Sequence, residues 1–544
     1  MKTKAAIAQI LKDEGVEFLS CFPSNPMIDA CAAIDIRPIV ARSERVVVNI
    51  ADGFSRVAGD GRIGVCAMQE GAGIENAVAG VAQAYADSVP VLVLPAFWGH
   101  DQTDITHFNA IATLDRVTKW SAQVNSPDRA PELMRRAFTA LRTGRPGPVL
   151  IEIPKDVAEQ ELTRDFTYAP VAKHRTGPDP ADVSVAISML CKARRPVLLA
   201  GHGIHYAEAW AELRELAEIL SIPVVTTMAG KSTFPENHPL SLGVAGLTTT
   251  AMAWEFLRSA DVILAVGTSM TKWWMFPPIP PNCRIIQCTI DERDLNKDHA
   301  IAHAVLGDAK LVLHALAVEA EATMGKVQSP SRDDVPAEIA AHRTRWLKEW
   351  MPKLASDETP INPYRLMWDL NQTLDKANTI ITHDSGNPRD QLAPFYQSEA
   401  PHGYVGWGHS TQLGFSTGLG IGLKLARPKA TVINVLGDAG FGMSGFDLET
   451  AVRAQVGTVT VLLNNGLMGN YEQFIPIAIE RYDAKRLTGD YTKIADGLGA
   501  YAERVTSPGE IVGALTRAIE VSRDGRPALL EVITREETAF SMYY

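Results

Sequence analysis

Two apolar runs within residues 431–466, "TVINVLGDAGFGMSGFDLETAVRAQVGTVTVLLNNG", end in residues that could do chemistry. The first run ends on Asp438 and the second on Asn464-Asn465. The residues between them have the pattern of a helix that begins near 444–447, which predicts a strand–helix–strand unit. Such a unit makes its strands parallel, with both carboxyl ends at one edge of the sheet. The carboxylate and the amides are therefore predicted to lie side by side.

One carboxylate, one amide oxygen and exposed backbone carbonyls form an oxygen-only ligand set. Such sets hold Mg²⁺ or Ca²⁺, and Mg²⁺ usually takes one or two protein oxygens and completes its shell with phosphate and water. Small residues after Asp438 would let backbone N–H groups approach a phosphate. These small residues are Ala439, Gly440, Gly442, Ser444 and Gly445. The pattern predicts a metal-bridged diphosphate, although two ordinary strand turns would end in similar residues.

Predicted strands and helices, which would position this site, alternate along the whole chain. Short apolar runs such as "VPVLVLPAF" and "GPVLIEIP" are separated by helical segments. This alternation predicts parallel α/β sheets covered by helices on both faces. Two stretches of linker composition, 171–180 and 324–336, divide the 544 residues. We therefore predict three doubly wound parallel-sheet α/β domains, at residues 1–170, 181–325 and 355–544.

The predicted middle domain contains a strand, a glycine-rich turn and a helix in "RRPVLLAGHGIHYAEAWAELRELAEIL". Its turn, Gly201-His202-Gly203, is similar to a dinucleotide-binding loop but lacks the third glycine of that motif. We favour a close-packed turn between strand and helix. A nucleotide site is the alternative.

The composition narrows the possible functions. A formal net charge of −11 and the absence of a basic block argue against a nucleic-acid partner. The six cysteines include no CxxC pair, so we expect buried free thiols in a reducing compartment. The N-terminal segment has no signal-peptide pattern, and no apolar run reaches the roughly 20 residues that span a bilayer. We expect a cytoplasmic protein without a membrane partner.

The motif at residues 437–465 resembles that of a known enzyme family. Gly-Asp-Ala followed by about two dozen residues and Asn-Asn is similar to the signature of thiamine diphosphate-dependent enzymes. Segment 40–94 resembles the pyrimidine-binding domain of the acetolactate synthase, pyruvate oxidase and benzoylformate decarboxylase group, and "GRPGPVLIEIPKDV" and "VVTTMAGKSTFPENHPLSLG" support that group. The resemblance covers almost the whole chain and is greatest to acetolactate synthase large subunits. It implies a pyrimidine-binding first domain, a middle domain and a diphosphate-binding last domain.

The resemblance also implies roles for individual residues. The metal ligands would be the side chains of Asp438 and Asn465 and the backbone carbonyl of Leu467. Glu44, in "RSER", matches the family's catalytic glutamate, which shares a proton with N1′ of the cofactor's aminopyrimidine and so favours its imino form. An exposed acid in the first turn of a helix is the simpler alternative for Glu44.

Further cofactor contacts follow from the same resemblance. Thr411 would offer its backbone carbonyl to the 4′-amino group, and Leu413 would force the two rings of the cofactor into a V. Core packing is a compatible alternative for Leu413. The remaining candidates near the diphosphate are Gly386, Asn387, Gly437, Ala439 and Gly440.

Several loops depart from the family's pattern. The sequence "FPSNP" replaces "FG-x-PG", and "QEGAGIEN" replaces "SGPGATN". Ala439 stands where the family usually has Gly, and we predict an ordinary negative φ there. The tail "EETAFSMYY" is interpreted either as a lid or as an interface strip. Candidate substrate contacts, each with a turn or structural role as the alternative, are Asn25, Gln69, His100 and His409.

These observations predict a thiamine diphosphate- and Mg²⁺-dependent enzyme that breaks or forms a C–C bond next to a carbonyl. It would be a 2-oxo acid decarboxylase or carboligase, or else a lyase or hydrolase acting on a 1,2-diketone or 2-hydroxyacyl substrate. A non-catalytic nucleotide-binding protein is a third alternative. FAD is not expected, although some members of the group carry it in the middle domain. Because different subunits hold the two ends of the cofactor in this group, the resemblance implies a homodimer at minimum, and tetramers are common.

Overall fold

The computed structural model describes residues 1–100, 102, 108–324, 326, 329–469 and 471–544. Within them, three six-stranded sheets of parallel strands are flanked by helices. This confirms the predicted α/β class with three parallel sheets. We call the parts of the chain around these sheets the first, second and third domains; their boundaries stay a prediction. Among the described helices, none combines the length and the apolar character needed to cross a membrane.

The first sheet has the strands β1 (Phe18–Cys21), β2 (Arg37–Val40), β3 (Gly64–Met68), β4 (Val91–Phe97), β5 (Trp120–Gln123) and β6 (Val149–Pro154). Their order across the sheet is β2-β1-β3-β4-β6-β5. The helices of this domain are α1 (Thr3–Asp13), α2 (Met27–Ala32), α3 (Glu44–Val57), α4 (Ala72–Ala86), α5 (Ala110–Leu114), α6 (Ala130–Arg142) and α7 (Lys155–Glu159).

The second sheet has the strands β7 (Pro196–Ala200), β8 (Val224–Thr227), β9 (Ser241–Ala245), β10 (Val262–Val266), β11 (Arg284–Thr289) and β12 (His303–Leu306), in the order β12-β11-β10-β7-β8-β9. Its helices are α8 (Pro180–Lys192), α9 (Gly203–Ala207), α10 (Trp210–Leu220), α11 (Ala251–Leu257) and α12 (Ala309–Thr323). A long helix, α13 (Val335–Leu354), then leads to the third domain and buries Trp346 and Trp350 in the core that it shares with both domains.

The third sheet has the strands β13 (Thr379–His383), β14 (Tyr404–Val405), β15 (Thr431–Gly437), β16 (Val459–Asn464), β17 (Tyr501–Val505) and β18 (Ala528–Ile533). Their order, β14-β13-β15-β16-β18-β17, repeats that of the first sheet. Its helices are α14 (Pro363–Thr373), α15 (Asn387–Phe395), α16 (Phe415–Ala426), α17 (Asp438–Ser444), α18 (Leu448–Ala454), α19 (Pro476–Tyr482), α20 (Tyr491–Gly497) and α21 (Ile511–Arg523).

Two helices lock the first domain to the third. α3 is buried at every residue except Arg45 and packs on α16. A Cβ atom on Gly53 would lie 2.3 Å from the backbone oxygen of Leu419, and one on Gly422 would lie 2.1 Å from the backbone oxygen of Ile50. Only glycine allows the two backbones to approach this closely.

The C-terminal tail packs on the second domain. The backbone N–H of Thr249 donates to the carbonyl of Ser541 at 2.8 Å, and the Ser541 hydroxyl donates to the Thr249 carbonyl at 2.7 Å. The Tyr544 hydroxyl donates to the carbonyl of Gly246 at 2.7 Å. The tail therefore joins the third domain to the second.

The helix crossing gives a first prediction. Gly53→Ala should lower the free energy of unfolding by about 1–3 kcal/mol, because the added methyl group meets backbone rather than a mobile side chain. Gly497→Ala is the matched control, since a Cβ there meets nothing within 4 Å; its effect should be neutral or stabilising. Thermal and urea unfolding measure both variants. Equal stability of Gly53→Ala and the wild-type protein would contradict the tight crossing.

Candidate active site

The third sheet places its two polar strand ends side by side. β15 and β16 are neighbouring parallel strands, with Gly437 opposite Leu463. Asp438 comes next and is buried. Its Oδ1 accepts a hydrogen bond from the N–H of Ala439 at 2.8 Å, and its Oδ2 accepts one from the N–H of Gly466 at 2.9 Å. The carboxylate thus connects the first strand end to the turn after the second.

That turn contains Asn465 and Leu467. Oδ1 of Asn465 accepts a hydrogen bond from the N–H of Leu467 at 3.0 Å, and Gly466 between them has a φ of +66°, which suits glycine. The side chain of Asn464 is used differently, because its Nδ2 donates to Oε1 of Glu531 in β18 at 2.8 Å. Asn464 is therefore tied to the sheet, whereas Asn465 belongs to the turn beside Asp438.

The surroundings of Asp438 fit a divalent cation. Burial raises the pKa of its carboxyl, hydrogen bonds from backbone N–H groups oppose that rise, and none of the largest contributions comes from a basic side chain among the described residues. The described part of the chain also has no group of three or more His, Cys, Asp or Glu that could hold a metal by itself. A buried carboxylate without a cationic side chain needs another positive partner. Carboxylate oxygens of this kind suit hard cations such as Mg²⁺ and Ca²⁺.

The backbone after Asp438 differs from the sequence expectation. A helix is expected from 444–447, but α17 already begins at Asp438, and a 3-10 turn, Gly445–Asp447, separates it from α18. An acid in the first turn of a helix stabilises such an early start. Ala439 lies within α17 and has a negative φ, which confirms the prediction made for it.

The turn between β13 and α15 borders the same strand end. A Cβ atom on Gly437 would lie 3.7 Å from Cγ of Pro388, and one on Gly469 would lie 3.0 Å from Nδ2 of Asn387. Gly386 has a φ of +82°, and a Cβ atom there would meet nothing within 4 Å. The turn after β13 therefore lies beside the end of β15 and contacts the segment that follows β16, with open space next to Gly386.

A second buried carboxylate, Asp384, was missed by the sequence reasoning. It directly follows β13 and accepts hydrogen bonds from the N–H groups of Ser385 (2.9 Å), Gly414 (2.9 Å) and Ser416 (3.1 Å), and from the Ser416 hydroxyl at 2.6 Å. Burial raises the pKa of this carboxyl, and the four hydrogen bonds counteract the rise. Asp384 thus fixes the loop that precedes α16. The available signal was an Asp directly after an apolar strand.

The loop before α16 packs against α17. The hydroxyl of Ser444 donates to the carbonyl of Gly414 at 2.6 Å, and a Cβ atom on Gly414 would lie 3.1 Å from the backbone oxygen of Gly440. Leu413 is only partly buried and is not one of the residues of the buried core. Its position fits an apolar surface for a ligand better than core packing. Thr411 has a φ of +50°, which is strained for a non-glycine residue.

The first domain holds this loop in place. Nε2 of Gln412 donates to the carbonyl of Ala79, and the Arg45 guanidinium donates to the carbonyl of Leu413. Strained backbone persists where the surrounding contacts determine it, and these contacts flank Thr411. The conformation of the loop therefore depends on both domains.

Glu44 is a buried residue rather than an exposed acid. It opens α3, and its Oε2 accepts a hydrogen bond from Nδ2 of Asn76 at 3.2 Å. A Cβ atom on Gly73 would lie 3.5 Å from Oε1 of Glu44 and 2.6 Å from Cγ of Gln69, so Gln69 lies close to this carboxyl. Glu44 belongs to the first domain, and its link to the third runs through its neighbour Arg45.

Asn25 is occupied by contacts within the first domain. Its Nδ2 donates to the carbonyls of Met68 (2.7 Å) and Leu94 (2.9 Å), and its Oδ1 accepts a hydrogen bond from the N–H of Met27 at 2.9 Å. Both amide hydrogens are thus used to join a turn to two strands. These contacts fit the turn interpretation better than a substrate contact.

The two candidate histidines lie in different places. Nδ1 of His100 is 3.0 Å from Oδ2 of Asp156, next to α7. His409 lies in the same loop as Thr411, and its Nδ1 is 3.3 Å from Oδ1 of Asp87. The structure therefore brings His409, but not His100, onto the loop of the candidate cofactor residues.

Three family models match the chain in order: the N-terminal TPP binding domain of thiamine pyrophosphate enzymes at residues 1–115, their central domain at 183–316 and their C-terminal TPP binding domain at 384–532. The chain is also 32% identical to the probable acetolactate synthase large subunit of Methanocaldococcus jannaschii over 568 residues, which cover all of this chain and 93% of that protein. The chain belongs to the thiamine pyrophosphate enzyme family.

Other similar proteins agree with this membership of the thiamine pyrophosphate enzyme family. The chain is 31% identical to the probable acetolactate synthase large subunit of Methanococcus aeolicus, with 100% of this chain and 93% of that protein covered. It is 26% identical to acetolactate synthase isozyme 3 large subunit of Escherichia coli, with 97% and 93% covered. The predicted class is confirmed: this is a thiamine diphosphate-dependent enzyme of the carboligase and decarboxylase type that acts on a small molecule.

The hydrogen bonds of Asp384 give a second prediction. Asp384→Asn should weaken thiamine diphosphate binding by roughly 10- to 100-fold. The amide N–H₂ of Asn would face N–H groups that now donate to the carboxylate, and leaving such buried donors unpaired costs about 1–3 kcal/mol. Ser416→Ala is the control, since it removes only one of the four donors and should cost less. Titration of the cofactor against tryptophan fluorescence, with circular dichroism to check folding, measures both. Unchanged affinity in a folded Asp384→Asn protein would contradict the role given to this carboxylate.

Proposed function

We propose that the enzyme uses thiamine diphosphate and Mg²⁺ to break or form a C–C bond next to a carbonyl, as a 2-oxo acid decarboxylase or carboligase similar to acetolactate synthase. The observation that carries this proposal is the meeting of Asp438, Asn465 and Leu467 at one sheet edge, beside the open Gly386 turn. The names of the relatives support a 2-oxo acid as the substrate class.

The residues at this edge divide the binding of the cofactor among them. Mg²⁺ would be held by the side chains of Asp438 and Asn465 and the carbonyl of Leu467. When bound, the cofactor supplies the electron sink for the bond that is broken. The carbonyl of Thr411 and the side chain of Leu413 would hold the pyrimidine end. The diphosphate would lie against Gly386, Asn387, Gly437, Ala439 and Gly440.

Glu44 would hold the proton that is exchanged with N1′ of the cofactor. Its burial at the start of α3 and its hydrogen bond from Asn76 support this role, because they hold the carboxyl in one place. Gln69, beside it, is the best placed of the first domain's candidate substrate residues. Asn25 and His100 are weaker candidates because their polar atoms already contact protein groups.

We further propose a homodimer in which Glu44 of one chain completes the cofactor site of the other, with a tetramer as the second option. Large apolar side chains on α17, in the turn after it, on α19 and just before α19 are more than half exposed. Exposed apolar side chains of this kind support an interaction site in this part of the third domain. They are Met443, Phe446, Phe474, Ile477 and Tyr482.

This surface gives a third prediction. Phe446→Glu should convert the dimer to monomers and weaken cofactor binding at least 10-fold, because a charge would be buried in the interface. Trp274→Glu is the control, since Trp274 is similarly exposed but lies in the second domain. Sedimentation velocity measures the oligomeric state. Dimers that persist in Phe446→Glu would contradict this interface.

The packing of glycines in the second domain supports the expectation that the enzyme binds no FAD. A Cβ atom on Gly203 would lie 2.8 Å from Cα of Gly267, and one on Gly201 would lie 2.3 Å from the Gly267 carbonyl oxygen. These glycines are needed to pack two turns together, which favours the close-packed interpretation of the Gly-His-Gly turn. We therefore expect no flavin bands in the absorbance spectrum.

The location and the partners form part of the same proposal. The described structure contains six free cysteines, which supports a reducing compartment such as the cytoplasm. The net charge of −11 gives no support for a nucleic-acid partner, and the proposal includes no membrane partner.

The substrate class gives a fourth prediction. With cofactor and Mg²⁺, the enzyme should release carbon dioxide from pyruvate or another 2-oxo acid, and Glu44→Gln should lower kcat by about 10²–10⁴-fold. Asp13→Asn, a surface change, is the control. The lyase or hydrolase alternative would be favoured if the enzyme released carbon dioxide from none of the 2-oxo acids but cleaved a 1,2-diketone or 2-hydroxyacyl substrate. Full activity of Glu44→Gln would contradict catalysis through N1′.

A further inference from the structure

The peptide unit between Leu413 and Gly414 is held at both ends. Its carbonyl oxygen accepts a hydrogen bond from Nη2 of Arg45, in α3 of the first domain. Its N–H donates to Oδ1 of Asp384, in the third domain, at 2.9 Å. A peptide unit is a dipole whose oxygen end is negative and whose N–H end is positive. The cation and the anion therefore each meet the end of the dipole that attracts them, and we call this arrangement the peptide clamp.

The two charged groups of the peptide clamp also act on each other. Burial lowers the pKa of the Arg45 guanidinium, and the negative charge of Asp384 counteracts that fall. Asp384 is fully buried, whereas Arg45 is partly buried. Attraction between opposite charges is only weakly screened where water is excluded. Arg45 and Asp384 thus stabilise each other as well as the peptide unit between them.

The peptide clamp holds a stretch of backbone in an unfavourable conformation. Thr411 has a φ of +50° and Gly414 a φ of +79°, both in the left-handed region. A non-glycine residue keeps such a φ only where surrounding contacts determine it. Leu413, the proposed apolar support for the pyrimidine end of the cofactor, lies between these two residues. Loss of the clamp would therefore release this support.

Glu44, the residue before Arg45, does not share the contacts of Arg45. Successive side chains of an α-helix point about 100° apart around its axis. The described contacts of the Glu44 carboxyl lie within the first domain: Nδ2 of Asn76 donates to its Oε2 at 3.2 Å, and a Cβ atom on Gly73 would lie 3.5 Å from its Oε1. Arg45 instead reaches the third domain of its own chain. The two neighbours therefore serve different surfaces of the molecule.

We propose that Arg45 is a positioning residue that fixes the Leu413–Gly414 peptide of its own chain, while Glu44 acts on the cofactor bound by the partner chain. Adjacent residues in one helical turn would then act on the two different cofactor sites of the homodimer. This inference rests on the proposed function and on the proposed homodimer. It gives Arg45 a role in the reaction and assigns the two neighbours to separate sites.

The peptide clamp can be tested in the cofactor-free enzyme by hydrogen–deuterium exchange with mass spectrometry. In Arg45→Met, the amide hydrogens of residues 411–416 should exchange at least about 10-fold faster, because a hydrogen bond from a charged donor is lost. Arg42→Met is the matched control. Arg42 also joins the first domain to the third, but its described hydrogen bonds go to Asp447 and Glu449 rather than to this loop. Exchange of the loop in Arg42→Met should match that of the wild-type enzyme.

The positioning role can be tested with cofactor and Mg²⁺ bound. The kcat of Arg45→Met should fall about 10- to 100-fold, since a small misplacement of reacting groups costs up to that factor. The Kd of thiamine diphosphate should change by a smaller factor, because the residues proposed for the metal and the diphosphate are unchanged. Arg45→Lys keeps the charge and a donor, so it should regain part of the lost kcat.

Hybrid dimers test the assignment of the two neighbours to separate sites. The two kinds of chain are co-expressed and purified through two different affinity tags. In a hybrid of an Arg45→Met chain and a Glu44→Gln chain, both changes fall on the same cofactor site. The other site stays intact, so about half of the wild-type kcat per dimer should remain, since a symmetric dimer has two equal sites.

The matched hybrid pairs a wild-type chain with a chain that carries both Arg45→Met and Glu44→Gln. Each cofactor site then carries one of the two changes. The kcat per dimer should fall to roughly a twentieth of the wild-type value or less, because neither site is intact. The two hybrids contain the same substitutions in the same number, so a difference between them reports only on how the residues are shared between sites.

Three results would overturn the inference. The first is an Arg45→Met enzyme whose loop exchange and kcat equal those of Arg42→Met. The second is the opposite order of the two hybrids, which would place both residues at one site. The third is a wild-type enzyme that is active as a monomer. Failure of the proposed function is distinguishable, because then the wild-type enzyme turns over no 2-oxo acid, diketone or 2-hydroxyacyl substrate, while amide exchange still reports on the peptide clamp.

Discussion

The parallel pairing of β13, β15 and β16 is the constraint on which the candidate site depends. It brings two buried carboxylates, Asp384 and Asp438, to one edge of the third sheet. A buried charge is costly unless its oxygens are paired. Four donors of the chain satisfy Asp384. Asp438 accepts hydrogen bonds from backbone N–H groups, and none of the largest contributions to its pKa shift comes from a described basic side chain. Asp384 therefore stabilises the loop before α16, whereas the environment of Asp438 is suited to a cation.

The position of the first domain is the second constraint. Glycines on α3 and α16 let the two helices touch through their backbones, so the domains have little freedom to slide. Only in this arrangement can Arg45 and Gln412 hold the strained loop around Thr411. Positioning of this kind matters for catalysis because reacting groups must be held within a narrow range of distances.

The sequence predicted what depends on local pattern. The alternation of apolar runs and helices indicated three parallel sheets, and the spacing from Asp438 to Asn465 indicated two strand ends at one edge. The negative φ at Ala439 also followed from local sterics. Asp384, Asp87 and Arg45 were not assigned roles, because their contacts join residues about 30 to more than 300 positions apart. Such contacts arise from domain packing, which leaves no periodic pattern in the sequence.

We propose that Asp438, Asn465 and Leu467 form one metal and diphosphate site. A crystal structure with thiamine diphosphate and Mn²⁺ in place of Mg²⁺, measured at the manganese absorption edge, is the decisive test. We expect one anomalous peak per chain, in contact with a side-chain oxygen of Asp438, Oδ1 of Asn465 and the carbonyl oxygen of Leu467, with the diphosphate completing the shell. A peak elsewhere, or a bound cofactor whose metal does not contact Asp438, would contradict it.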